Sequence, residues 1–241
     1  EIGDVRLACQ GMNRGAKVRN VTLSIRRGEI LGLTGLVGSG RTETVRLLFG
    51  ADKPESGIIK LDGKTLHLRS PRDAISAGIC LLTEDRKAQG LVLGQTILEN
   101  FGVPNLKSFS RYNWIDRGRE RSSMVGHGKK LQIKMTGPDQ VAATLSGGNQ
   151  QKVVLAKWLE RNAEVLLFDE PTRGIDVGAK YEIYQLMNRL AAQGKAILMI
   201  SSELPEVLGM SDRIVVMHEG QVKGEIADVP HATQQHIMKI A

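Results

Sequence analysis

Gly35-Leu-Val-Gly-Ser-Gly-Arg-Thr42 is the stretch that decides the fold. An apolar run, Ile30-Leu-Gly-Leu-Thr34, precedes it, and Glu43-Thr-Val-Arg-Leu-Leu-Phe49 follows, which reads as strand, glycine-rich loop and helix. The order is that of a phosphate-binding loop, G-x-x-x-x-G-K-[ST], with Arg41 where the pattern has lysine. Gly35, Gly38 and Gly40 let the backbone wind tightly and turn successive N–H groups inward. A helix that begins at about Gly40 directs its positive end at the same anion. Ser39 and Glu43 flank that anion position, and the Thr42 hydroxyl suits Mg²⁺. Arginine keeps the charge of lysine but spreads it over a planar fork. Nucleotide binding is therefore expected to survive and catalytic alignment to suffer. An ordinary glycine-rich β–α turn has a similar composition, so the loop alone leaves both readings open.

Two further stretches carry chemistry. Val165-Leu-Leu-Phe-Asp-Glu170 is an apolar strand ending in two carboxylates, the place where ligands meet a parallel sheet. Asp169 is placed to hold Mg²⁺ and Glu170 to polarise an attacking water. Leu145-Ser-Gly-Gly-Asn-Gln-Gln151 precedes a helix that Ser146 can cap, while Gly147 and Gly148 expose backbone N–H groups to an anion and Gln150 lies in the same turn. A second anion site makes sense if this face meets a nucleotide held by a different module.

The remaining composition bounds the class. The chain has 241 residues, with 41% hydrophobic and 24% charged, enough for one large α/β domain or two small ones. Its apolar runs are too short to span a bilayer, and no secretory leader is apparent. It opens on Glu1 and reads as a piece of a longer chain. Cys9 and Cys80 have no metal-like spacing, and the five histidines are scattered. The net charge is +7, dispersed over positions such as Arg26, Arg117, Arg119 and Lys130, without the aromatic interleaving of a nucleic-acid surface. It reads as a solvated basic face, then as contact with anionic lipid or a membrane partner.

Strands alternate with helices from about residue 147 onward: strand 164–168, helix 178–192, strand 195–200, helix 203–209, strand 213–217 and a terminal helix over 231–241. That spacing implies a mostly parallel sheet. Val5–Ala8, Val21–Ile25 and Ile58–Leu61 read as short strands, Pro71–Ala77 as a helix, and Gly78–Leu82 as a buried strand. The more polar stretch from about 86 to 144 reads as a mainly helical insertion.

The three motifs, in this order, resemble the nucleotide-binding cassette of an ABC transporter, over essentially the whole chain. Thr83-Glu-Asp-Arg-Lys87, Asp169-Glu-Pro-Thr-Arg-Gly-Ile-Asp176 and Ile200-Ser-Ser-Glu-Leu-Pro-Glu-Val207 narrow the likeness to the second, C-terminal cassette of monosaccharide importers. Gly90-Leu-Val-Leu-Gly94 and Ala232-Thr-Gln234 tilt it toward the ribose type, with the xylose and arabinose types near behind. The resemblance implies an α/β P-loop NTPase cassette with a mostly parallel sheet core, N-terminal antiparallel strands and a helical insertion. It divides the chain into a core part over 1–85, a helical subdomain over 86–155 and a second core part over 156–241. It implies ATP and Mg²⁺ as ligands, with Thr42 and Asp169 on the metal, Glu170 and Ser202 at the reacting centre, and Asp176 in the loop after the carboxylates. The implied partners are another cassette, in the same polypeptide or a dimer, a membrane permease contacted by the 84–104 region, and indirectly a periplasmic sugar-binding protein. The implied place is peripheral, at the cytoplasmic face of the inner membrane, with no nucleic acid.

Departures from the family pattern gather on one site. Arg41 replaces the loop lysine, Glu84 stands where a glutamine is usual, and Ser202 stands at the switch-histidine position. No aromatic residue precedes Phe49 to stack on adenine. The P-loop site of this chain is therefore expected to be degenerate, while Ser146-Gly-Gly148 completes the site of the partner cassette. A non-transport ABC ATPase acting on nucleic acid or ribosomes, and a nucleotide-binding regulatory module without turnover, stay open as alternatives.

Overall fold

The computed structural model describes residues 2–85, 89–111 and 114–241; Arg86 and Lys87 of the Thr83–Lys87 stretch lie outside the described residues. In chain order the elements are β1 (Val5–Arg14), β2 (Val18–Arg26), β3 (Ile30–Gly35), α1 (Arg41–Leu48), β4 (Ser56–Leu61), β5 (Lys64–Leu66), α2 (Pro71–Ser76) and β6 (Ile79–Leu82). Then come α3 (Ile97–Gly102), α4 (Leu106–Phe109), β7 (Ser110–Arg111), β8 (Trp114–Ile115), α5 (Arg117–Lys130) and α6 (Gly147–Glu160). The last are β9 (Val165–Asp169), α7 (Val177–Ala192), β10 (Ala196–Ile200), α8 (Leu204–Met210), β11 (Arg213–His218), β12 (Gln221–Ile226) and α9 (Gln234–Ile240).

Two compact units emerge. One comprises the residues up to Leu81, Glu164–Pro171 and Met187–Ala241; the other comprises Leu82–Ala163 and Thr172–Leu186. The first unit holds a six-stranded sheet in the order β12-β11-β3-β10-β9-β6, in which β11, β3, β10 and β9 run parallel and β12 closes the edge antiparallel to β11. Every residue of β9 and β10 is buried, which is why both read as unbroken apolar runs rather than alternating ones. A four-stranded sheet, β2-β1-β4-β5, contributes the antiparallel layer. Leu7, Cys9, Val21 and Ile25 from that layer share one core with Leu31, Leu33, Leu167 and Leu198 of the parallel sheet. β11 shows the period of two directly: Val215 and Met217 join this core, while Ile214 and Val216 face a second cluster with Val207 and Ile237 under α8 and α9.

The N-terminal strands are longer than the sequence pattern predicts, ten and nine residues. Register shifts at Cys9–Met12 and Met12–Arg14 break the alternation. β5 carries no apolar run and is built by its pairing with β4.

The second unit is helical, with a short hairpin of β7 and β8. A capping box of Thr96 and Glu99 starts α3. α3 packs on α5 and α6, and Phe101 stacks between Phe109 and His127 with ring centroids 5.9 and 5.6 Å away. Asn100 clamps Val92 from both sides: its Oδ1 accepts from the Val92 amide at 2.7 Å and its Nδ2 donates to the Val92 carbonyl at 3.0 Å.

One charge network fastens the first unit. Glu29, 2% exposed, accepts from Arg213 Nε at 2.7 Å and from the Arg26 amide at 2.6 Å, while Arg213 also donates to the Ser24 carbonyl at 2.6 Å and reaches Glu225 at 3.1 Å. Arg213→Ala leaves the Glu29 carboxylate buried and unpaired, and is expected to lower unfolding free energy by about 3–5 kcal/mol. Urea unfolding followed by circular dichroism checks this, and the paired change Glu29→Gln with Arg213→Met should recover most of the loss.

Candidate functional site

In the first unit the chemistry collects at the C-terminal ends of β3, β9 and β10. Gly35 ends β3 at φ 149°, and a Cβ there would collide with the Met217 carbonyl. Gly40 caps α1 in the left-handed region at φ 95°, and a Cβ there would collide with the Lys17 carbonyl. These two positions exclude any side chain on both conformation and space. Gly38, at φ 82°, faces open space, so only its conformation favours glycine. The loop carbonyl of Ser39 accepts from the Gly220 amide at 2.9 Å, whereas its hydroxyl is buried with no hydrogen-bond partner. Glu43 is partly buried and lies 3.8 Å from Lys17.

β9 delivers the two carboxylates. Asp169 pairs in register with Ile200 of β10, and the amide of Glu170, at φ 50°, donates to the Ile200 carbonyl at 3.1 Å. Thr42 Oγ1 donates to Asp169 Oδ1 at 3.3 Å. Arg41 is 7% exposed. One arm of its guanidinium donates to the Ser201 carbonyl at 3.0 Å, the other to Ser202 Oγ at 3.3 Å. Arg41 also stands 3.8 Å from Glu170 Oε1, to which the Ser202 hydroxyl donates at 2.5 Å. The structure thus brings Arg41, Thr42, Asp169, Glu170 and Ser202 together. The Arg41 guanidinium is directed at the chain's own Ser201–Ser202 segment.

Burial dominates the electrostatics. It pushes the Asp169 carboxyl up from 3.8 to about 6, with Glu170 adding to the rise and Thr42 and Arg41 opposing it. Burial also lowers Arg41 against the pull of Glu170, Asp169 and Glu43. Thr42 and Asp169 offer hard oxygen donors 3.3 Å apart, a fit for Mg²⁺, which takes one or two protein oxygens and completes its shell with phosphate and water. Among the described residues no group of three or more His, Cys, Asp or Glu gathers as a metal cage.

In the second unit Ser146, Gly148, Asn149, Lys134, Asp176 and Glu182 line a pocket of about 150 Å³. Ser146 is the N-cap residue of α6, yet its side chain makes no capping bond; its hydroxyl accepts from Asn149 Nδ2 at 2.8 Å instead. Gly147 opens the helix, and a Cβ on Gly148 would collide with Ala179. Asp176 Oδ1 accepts from the Ala179 amide at 2.9 Å at the start of α7. Gln150 does not reach the loop surface: it is 5% exposed, with Nε2 donating to the Ala142 carbonyl at 3.2 Å. Glu84 stands apart from that pocket, in an ion pair with Arg173. The sequence reading missed Ser201, whose contribution is a backbone carbonyl and leaves no side-chain signal. It also missed Lys134 and Glu182, which have no motif.

A profile of the family described as ABC transporter matches residues 18–173. The chain belongs to the ABC transporter family. This ABC cassette is 51% identical over 240 residues to a putative ribose/galactose/methyl galactoside import ATP-binding protein of Rhizobium etli, covering 100% of this chain and 46% of that protein. It is 51% identical over 239 residues to a ribose import ATP-binding protein of Bacillus licheniformis, covering 99% and 48%. The cassette spans about half the length of the curated relatives it matches. Among solved structures it superposes on an ATP-binding cassette of an ABC transporter in its ADP conformation, with TM-score 0.82, 21% identity and 98% of each chain covered.

The raised carboxyl yields a prediction. Because folded Asp169 holds its proton up to about pH 6 and the unfolded group releases it near 3.8, metal-free stability falls as pH rises between those values and stays lower above them. Asp169→Asn should remove that slope and raise metal-free stability at pH 7.5 by roughly 3 kcal/mol. Thermal melts from pH 4 to 8, in chelator, check both.

Proposed function

We propose that this chain is one ATP-binding half of a monosaccharide importer, ribose foremost, whose own P-loop site is degenerate and whose Ser146-Gly-Gly148 loop completes the site of a partner cassette. The observation that carries it is the contrast between the two clusters. Arg41 spends both arms of its fork on Ser201 and Ser202, and Glu170 is held by the Ser202 hydroxyl. The loop at the start of α6 keeps its glycines and an open pocket.

Thr42 and Asp169 would hold Mg²⁺, which neutralises developing charge on the phosphates when bound. Around it the residues of this chain act unevenly. The glycine loop binds phosphate through backbone N–H groups. Glu170 is oriented for a water, but Ser202 cannot bring positive charge to a γ-phosphate as a histidine would. The partner's hydrolytic site receives from this chain the amides of Gly147 and Gly148 and the Ser146 hydroxyl, directed at its γ-phosphate.

The import reading is supported by the relatives, named as sugar import ATP-binding proteins, and by their twofold greater length, which leaves room for a second cassette. A cassette structurally similar to this one, at TM-score 0.76 and 22% identity, was solved as a dimer after hydrolysis with ADP and phosphate bound. No described helix is long and apolar enough to cross a membrane. In this reading a separate permease carries the sugar. The cassette then sits peripherally on the cytoplasmic face of the inner membrane, with a periplasmic sugar-binding protein feeding the permease from the other side.

The isolated cassette, lacking a partner signature loop, is expected to hydrolyse ATP far below about 1 s⁻¹, the low end for ordinary enzymes. A steady-state rate near that value, abolished by Glu170→Gln, would contradict the degenerate reading. In the full-length importer with labelled sugar and matched expression, Gly147→Asp should nearly abolish uptake, because it sets bulk and negative charge against a phosphate. Arg41→Ala should cost only part of it; equal losses would make this P-loop a working hydrolytic site.

A further inference from the structure

One amide in the second unit has its orientation fixed by an unambiguous donor. Asn149 Oδ1 accepts from the backbone N–H of Lys134 at 2.9 Å. A backbone N–H can only donate, so the amide oxygen must face it and the NH₂ must face the other way. That NH₂ donates to Ser146 Oγ at 2.8 Å. The Ser146 hydroxyl is thereby cast as acceptor within the protein. Its own proton is not used, since among the described residues Ser146 Oγ donates to none. Ser146 is exposed at the rim of the pocket it shares with Asp176.

We infer that Asn149 is a positioning residue that sets the polarity of the Ser146 hydroxyl, so that it presents a proton to the γ-phosphate of a nucleotide held by the partner cassette. The inference rests on the proposed completion of the partner's site. A phosphate oxygen accepts only, so a hydroxyl whose proton is already engaged would meet it with lone pairs and repel it. The Lys134 backbone thus acts through the Asn149 amide on the hydroxyl, over two hydrogen bonds.

The decisive change is Asn149→Asp, nearly isosteric but able only to accept when ionised. Ser146 would then donate its proton inward to the new carboxylate. In the full-length subunit assembled with its permease, kcat/KM for Mg-ATP should fall about 10- to 100-fold, the rate equivalent of one hydrogen bond to a charged group. Asn149→Ala, which frees the hydroxyl without reversing it, should cost only a few-fold. A purely structural tether predicts the opposite order, because Ala loses both bonds. Repulsion by the new charge is separated by the Ser146→Ala background. There Asn149→Asp should add nothing, whereas a full further loss would overturn the inference in favour of simple repulsion. ADP binding, which involves no γ-phosphate, should be unchanged in all three variants, and a parallel loss of ADP affinity would also overturn it. If Ser146→Ala and Asn149→Asp both left turnover intact, the Ser146 hydroxyl would not serve the phosphate and the inference would fall, while the loss expected of Gly147→Asp would still decide the proposed completion of the partner's site. A thermal midpoint monitors folding of each variant. Should Asn149→Asp not fold, Asn149→Glu carries the same acceptor-only group on a longer stem and is read against the same controls.

Discussion

Two carboxylates at the end of a fully buried strand set the terms for everything around them. Asp169 is 3% exposed, and Glu170 follows it in the left-handed region. An ionised carboxylate in so dry a place is costly without compensation. The compensation comes from three side chains on two segments: Thr42 and Arg41 from the start of α1, and Ser202 from beyond the end of β10. Parallel pairing makes this possible. β10 lies between β3 and β9, so Ile200 registers with both Leu33 and Asp169, and the chain segments leaving the three strands emerge side by side.

The same constraint explains why the glycine loop is so intolerant. Gly35 and Gly40 are each pressed against a carbonyl, of Met217 and Lys17, and the Gly220 amide closes the loop through the Ser39 carbonyl. The antiparallel layer and the β11–β12 turn therefore hold the loop from outside, while the carboxylates draw its helix from inside. Glycine is demanded here by neighbours distant in sequence as much as by the loop's own curvature.

What could be read beforehand follows from how each feature is encoded. β9 and β10 were legible because burial on both faces leaves only apolar residues. The loop, the carboxylate pair and Ser146-Gly-Gly148 were legible because their chemistry needs fixed residue types at fixed spacing. β1 and β2 were underestimated because bulges disturb their period, and β5 exists only through its partner. Gln150 shares a motif with the loop residues, yet it sits one helical turn on from Ser146 and turns inward to Ala142. The Ser201 carbonyl and the Lys134 amide were invisible for a deeper reason: every residue has a backbone, so a backbone partner leaves no mark in composition. Their importance appears only once Arg41 and Asn149 are seen to be aimed at them.

Those two backbone partners produce opposite outcomes. The Ser201 carbonyl accepts, and so it captures a donor: one arm of Arg41 is committed to it, and the second arm falls on Ser202 because the guanidinium fork is planar and rigid. A lysine ammonium is a single atom on a flexible stem and cannot span the two oxygens from separate nitrogens. Replacing lysine by arginine therefore does more than redistribute charge; it gives the chain a cation whose shape matches its own backbone. The Lys134 amide donates, and so it captures an acceptor: the Asn149 oxygen is committed, and the amide hydrogens pass on to Ser146. In the first cluster the protein engages both terminal nitrogens of the Arg41 guanidinium with its own oxygens. In the second it satisfies the serine oxygen and leaves its proton free. The asymmetry between the two clusters thus comes down to whether the fixed backbone group behind each is a carbonyl or an amide.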